Sequence, residues 1–384
     1  MLQSIYSLLF QEQTRFFYLS FVLFATAIGI DLVIFPAILQ ANNIDSADIS
    51  QTFLAEIIGI VISSLFFAKF INKCRPFYLF FFAGIVYSFL VAIIYFFANY
   101  LLIWLFFIII LGFCWLIIVV SRFSWLNILL NNQNRGVGVA LFSTCISLGL
   151  AIGPILVKIL GATNYLSFLL SSLLILISIT ILLPINNKII IVSDKKVSLK
   201  QFWLVNKQCF LARFFLDFQT YGLMSFSVLF GTNIGLSPEN AGLLITAYMI
   251  STIADLIVGL LLKKYQGKNL INIGFLICLT VFIVIMFYHH NYTTLLILYF
   301  FYGIGIAFIF VAVFAVMSED YQQKQILEAG ATFQLIGTLG AFCGVLLASF
   351  IMQFSITIGF FSIFIGGCLA YFIIYTISHR IFLN

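Results

Sequence analysis

Charge is what this chain of 384 residues has least of: Asp, Glu, Lys and Arg make up 8% of it. A water-soluble domain carries roughly a quarter, so a solvated globular surface is excluded. Polar runs are as scarce, with one long interruption at 186–207 (NNKIIIVSDKKVSLKQFWLVNK). No enlarged loop or attached soluble domain is present, which argues against a receptor. No His/Asp/Glu cluster, serine triad or nucleotide loop is present, which argues against a membrane-embedded enzyme. The seven cysteines show no paired spacing and read as small apolar packing residues, without a metal or disulfide role. His289, His290 and His379 fall at the ends of apolar runs.

What is there is apolar: 64% of residues are hydrophobic and the mean hydropathy is +1.20. A helix needs about 20 apolar residues to cross a hydrocarbon core of about 30 Å. The runs are apolar all round and do not alternate, so helices are expected rather than barrel strands. Twelve spans fit, at 16–39, 52–71, 77–98, 101–129, 136–160, 165–183, 210–231, 241–262, 270–288, 294–317, 329–352 and 355–378. The first lacks a small-residue cleavage site and is read as retained. The expectation is an all-α, multi-pass membrane protein with the lipid bilayer as its solvent.

The 18 Lys and Arg against 12 Asp and Glu give a net charge of +6, and their placement explains the excess. With these spans, 17 of the 18 basic residues lie in or beside segments on one side, Lys158 being the exception. That pattern puts both termini and the central linker in the cytoplasm. Basic residues scattered over many loops do not make a nucleic-acid surface, and no nucleic acid is expected as a partner.

A constant shift of 191 residues superposes the two halves. Asn42, Ser46 and Asp48 fall on Asn233, Ser237 and Glu239, and Gly149 with Gly153 falls on Gly340 with Gly344. The chain therefore reads as a tandem repeat, with a six-helix bundle at 1–185, a cytoplasmic linker at 186–209 and a second six-helix bundle at 210–384.

Few polar side chains lie inside spans, and each is costly there. Asp31 is nearest the bilayer middle and is expected to face a cavity or a partner, as a carrier of protons and a cargo contact. Arg122, close to the cytoplasmic interface, would bind an anionic cargo group or pair with a carboxylate, or else snorkel. Asp217 has Arg213 one turn before it and suits an intrahelical ion pair. Asp255 suits a gate contact, and Glu56 a solvated outer rim. Gln219, Tyr221, Tyr248 and Gln334 are further candidates for lining a solute path.

The run Gly149-Leu-Ala-Ile-Gly153-Pro154 resembles the G-x-x-x-G-P motif of exporters in the major facilitator superfamily, and Gly29, Asp31 and Pro36 resemble the first span of its drug and metabolite exporters. The turn holding Ala68, Asn72, Lys73, Cys74 and Arg75 is similar to that family's G-x-x-x-D-[RK]-x-G-[RK] signature. Asn72 stands where the acid would be, while Lys73 and Arg75 are kept. The equivalent turn of the second half keeps Gly259. The resemblance implies the major facilitator fold: two pseudo-symmetric six-helix bundles that rock about a central site. Asn72, Lys73, Arg75, Gly149, Gly153, Pro154, Gly259, Gly340 and Gly344 would then serve the gates. It also implies a monomer that moves a small-molecule substrate, without catalysis or a bound cofactor, powered by a proton gradient. Export is favoured; the alternative is uptake of a nutrient or of a metal-chelating metabolite such as a siderophore.

Overall fold

The two helices that begin the two halves carry ten of the 29 buried polar and charged residues among those described. The computed structural model describes residues 12–70, 76–129, 135–183, 199–262, 264–320, 323–352, 354 and 358–380. The first half contains α1 (Glu12–Ala41), α2 (Ser46–Phe70), α3 (Pro76–Ile94), α4 (Leu101–Leu129), α5 (Arg135–Leu160) and α6 (Tyr165–Thr180). A short helix, α7 (Leu199–Val205), precedes the second half. That half contains α8 (Lys207–Asn233), α9 (Pro238–Ser251), α10 (Ala254–Leu261), α11 (Gly267–Tyr288), α12 (Tyr292–Asp320), α13 (Gln323–Met352) and α14 (Ile358–Arg380).

The protein is an all-α membrane protein of twelve spans in two pseudo-symmetric bundles. Ten spans are long and apolar enough to be recognised by that alone, α9 and α10 together forming one of them. The remaining two are α6, which is short, and α8, which is rich in polar residues. The repeat extends to helix ends. Pro76 and Gly267 start α3 and α11, Leu101 and Tyr292 start α4 and α12, and Leu129 and Asp320 end them, each pair 191 residues apart.

Lipid tails are as apolar as Leu, so helices in a bilayer are held by close packing and hydrogen bonds. Glycine provides the close packing, and at equivalent places in both halves. A Cβ on Gly149 would meet the Val22 carbonyl oxygen of α1, and one on Gly153 would meet the backbone of Gly29. In the second half, Gly340 and Gly344 lie against the Phe214 and Phe218 carbonyls of α8. Gly112 against Glu56 and its counterpart Gly303 against Tyr248 repeat the relation between α4 and α2 and between α12 and α9. Outward faces are apolar: on α3, Phe82, Ile85, Val86 and Phe89 form one exposed stripe at helical spacing.

The helix α8 shows why hydropathy alone passes it over. Nineteen of its 27 residues are buried, among them Gln208, Arg213, Asp217, Gln219, Ser225 and Ser227, so its polar groups meet protein instead of lipid.

The second-half span expected at 241–262 as one helix is broken. The N–H groups of Thr252, Ile253 and Asp255 reach back three residues, to Met249, Ile250 and Thr252. The hydroxyls of Ser251 and Thr252 donate to the Tyr248 and Met249 carbonyls at 2.6 and 2.7 Å. Adjacent hydroxyls competing for these carbonyls tighten the turn and end α9.

By contacts the chain forms two compact units, Met1–Val192 with Gly235–Thr246, and Ser193–Ile234 with Ala247–Asn384. Within the first, Glu239 accepts the Ala162 N–H at 3.2 Å, and the Thr246 hydroxyl donates to the Ala151 carbonyl at 2.9 Å. Gly242 fits beside Val33 and Pro154.

Candidate functional site

Asp31 lies on α1, 3% exposed, and is held from two other helices. The Ser171 hydroxyl of α6 donates to Oδ1 at 2.6 Å, and the Tyr87 hydroxyl of α3 donates to Oδ2 at 3.1 Å. Both donors are neutral, and no described cation lies within ion-pair distance of Asp31. Ser171 also approaches the Ala27 carbonyl at 3.3 Å. The partner expected for this carboxylate is therefore protein. Glu56 lies on α2. It is half-buried there, with Gly112 of α4 against its backbone.

The same face of α6 continues with Ser178, and its hydroxyl accepts from Nη2 of Arg122 at 3.0 Å. Arg122, on α4, is 0% exposed and does not snorkel. Its guanidinium lies over Phe24, Phe80 and Phe21, at 4.7, 5.4 and 5.7 Å from the ring centroids. Phe24 also packs edge-on against Tyr87, so the Arg122 and Asp31 sites share a wall. Ser88 of α3 and Ser172 of α6 pair hydroxyls at 2.8 Å beside them.

In the second unit the ion pair expected from spacing is formed: Arg213 Nη2 and Asp217 Oδ2 are 2.6 Å apart. Arg213 also donates to Gln334 Oε1 at 3.4 Å and lies over the Phe333 ring at 4.8 Å. Gln334 is thus joined to this pair. Gln219 is 1% exposed, and its Oε1 accepts from the Cys368 thiol at 3.7 Å. Tyr248 is buried against Tyr302, whose ring centroid is 5.1 Å away, and Tyr221 is half-buried on α8. Asp255 is buried in the first turn of α10. The candidates thus fall into separate clusters, Asp31 and Arg122 in one unit, Arg213, Asp217 and Gln334 in the other.

Of the expected gate residues, Gly149, Gly153, Gly340 and Gly344 sit at helix contacts, and Pro154 lies within α5. Gly259 is inside α10, with nothing within 4 Å of where a Cβ would stand. Asn72, Lys73 and Arg75 lie outside the described residues.

Tyr87, Ser171, Ser178 and Gly337 were not singled out by sequence reasoning. The serines had a signal: Ser167, Ser171 and Ser178 stand 4 and 7 apart, one face of an otherwise apolar helix. Tyr87 had none, being one of 17 tyrosines.

The sequence matches the Major Facilitator Superfamily over residues 17–203 and 209–380, nearly the whole of both halves. The chain belongs to this superfamily. No curated protein matches it. Among solved structures of similar fold are a POT family transporter in complex with a thioalcohol-conjugated peptide, the D-xylose-proton symporter and the nucleoside transporter NupG. The first has a TM-score of 0.75 at 14% identity, covering 99% of this chain and 100% of the other. The second has a TM-score of 0.74 at 13% identity, covering 94% and 97%. The third has a TM-score of 0.72 at 14% identity, also covering 94% and 97%. Identities this low establish the superfamily fold alone. Within that fold, the charged side chains most enclosed by protein among the described residues are those of Arg122 and Asp31.

Proposed function

We propose that the chain is a secondary transporter that moves a small organic solute across the bacterial inner membrane by alternating access, coupled to protons in the export direction. The observation that carries this reading is the setting of Asp31. A buried carboxylate held by two hydroxyls and no cation can exist with or without its proton while keeping its neighbours. Asp217, by contrast, is neutralised by Arg213 and reads as a fixed ion pair. Protonation of Asp31 would then be the difference that biases one conformation over another. Export is favoured by the G-x-x-x-G-P run of α5 and by Gly29 and Pro36 around Asp31.

The test is reconstitution into liposomes with an imposed pH gradient. The solute is first found as one that raises the melting temperature of the purified protein, since a ligand that prefers the folded state stabilises it. Asp31→Asn should fold, bind that solute and lose gradient-driven movement. Full coupling in Asp31→Asn would refute the assignment. The direction of accumulation relative to the gradient separates export from the alternative, uptake of a nutrient or metal chelator.

A further inference from the structure

We infer that Arg122 is the anchor for an anionic group on the transported solute, a carboxylate borne on an apolar or aromatic body; this rests on the transport reading above. The guanidinium is 0% exposed. Its Nη2 donates to Ser178, whose own proton is committed to the Ile175 carbonyl at 2.7 Å. Its Nε and Nη1 are buried and pair with no described protein group. No described carboxylate lies within ion-pair distance of it. What surrounds it is Phe21, Phe24 and Phe80.

Rings over a desolvated cation contribute about 2 kcal/mol or more each but accept none of its in-plane N–H groups. Burying an unpaired ion costs several kcal/mol even after relaxation, and leaving its N–H groups unmatched adds to that. A residue kept only for packing would be better replaced by an apolar one of similar volume. Compare Arg213, also buried, which has Asp217 at 2.6 Å. The chemistry that answers a planar fork with free N–H groups is an oxyanion. The phenylalanines specify the rest of that ligand, since a highly hydrated body would lose its water against them. Arg122 lies interior to α1, α3, α4 and α6, away from the lipid-facing stripe of α3, so the anion belongs to a solute and not to a headgroup.

The experiment uses full-length protein in zwitterionic detergent, with benzoate and phenylacetate as probes and benzamide and phenylacetamide as their neutral counterparts. At least one acid should raise the melting temperature of wild type while its amide does not. In Arg122→Met the apparent affinity for that acid should fall at least about tenfold, the loss of one charge-assisted hydrogen bond. The ligand-free Arg122→Met protein should melt higher than wild type, because an uncompensated buried cation is gone; a structural arginine would give the opposite sign. Arg122→Lys should retain part of the response. The inference is overturned if neither acid stabilises wild type, if the amides act as well as the acids, or if Arg122→Met keeps the response. It is equally overturned if neither variant folds, or if phosphatidylglycerol stabilises through Arg122 where the acids do not. A neutral solute carried by wild type and by Arg122→Met sinks this inference and leaves transport standing. An acid bound at Arg122 but never moved across a liposome membrane sinks the transport reading alone.

Discussion

Arg213 and Asp217 face each other one turn apart on α8, 2.6 Å between Nη2 and Oδ2, with Gly337 of α13 pressed against both. The two side chains are 6% and 8% exposed, so water screens neither. A Cβ at Gly337 would collide with the carboxylate and the guanidinium together. The pair and the gap that admits it are one device, built from two helices more than a hundred residues apart in sequence.

Breaking that pair should cost more than deleting it. Arg213→Met leaves Asp217 buried and unpaired, and Asp217→Asn does the same to Arg213. Each single change should cost about 3–5 kcal/mol. The double change should cost markedly less than their sum, since no charge is left without a partner. Thermal melts of the four proteins in one detergent check this. Additive losses would mean that the pair contributes through packing and not through charge.

Gly337→Ala should lower stability by about 1–3 kcal/mol through overpacking. Gly259→Ala and Gly366→Ala offer the contrast, because nothing lies within 4 Å of the added carbon at either site. Both are within helices, where Ala is preferred to Gly by about 1 kcal/mol, so these proteins should melt at or above the wild-type temperature.

The pattern of what was legible follows from which forces act locally. Span positions were readable because each helix has to cross the bilayer by itself, and α4 runs over 101–129 as hydropathy requires. The ion pair of Arg213 and Asp217 was readable because both partners sit on one helix. The glycine pairs of α5 and α13 were readable because the 191-residue repeat marks them twice. The hydroxyls that hold Asp31 were not, since Tyr87 and Ser171 come from helices brought together only by packing. For Arg122 the choice between an anionic partner and snorkelling stayed open for the same reason. Reach towards an interface can be estimated from sequence, but the three phenylalanines that enclose it come from α1 and α3. The break after Ser251 was also missed, because a Ser-Thr pair occurs in many unbroken helices.

In the first unit, the turn after α5 has Gly161 at φ 94° and presents the Ala162 N–H to Glu239. Glu239→Ala should therefore speed hydrogen exchange at Ala162, while Glu239→Gln, which keeps an acceptor oxygen, should leave it close to wild type. Adding Thr246→Val, which removes the bond to Ala151, should extend faster exchange into the end of α5. Peptide-resolved exchange across 150–165 measures both.

The hydrogen bonds to Asp31 differ in what each donor can do without it. Ser171 has a second acceptor in reach, the Ala27 carbonyl at 3.3 Å, whereas Asp31 is the acceptor the structure gives to the Tyr87 hydroxyl. Asp31→Leu should therefore orphan Tyr87 and leave Ser171 served. Intramembrane hydrogen bonds are worth about 0.6 kcal/mol on average and up to about 1.7. Tyr87→Phe in wild type should cost an amount in that range. In the Asp31→Leu background the same change should cost nothing or recover stability, because a buried hydroxyl with no acceptor is removed. Ser171→Ala should cost a similar amount in both backgrounds, since its fallback bond survives. A double-mutant cycle by thermal melting then gives strong coupling for Asp31 with Tyr87 and weak coupling for Asp31 with Ser171. The reverse order would show that the 2.6 Å bond from Ser171 is what fixes the carboxylate.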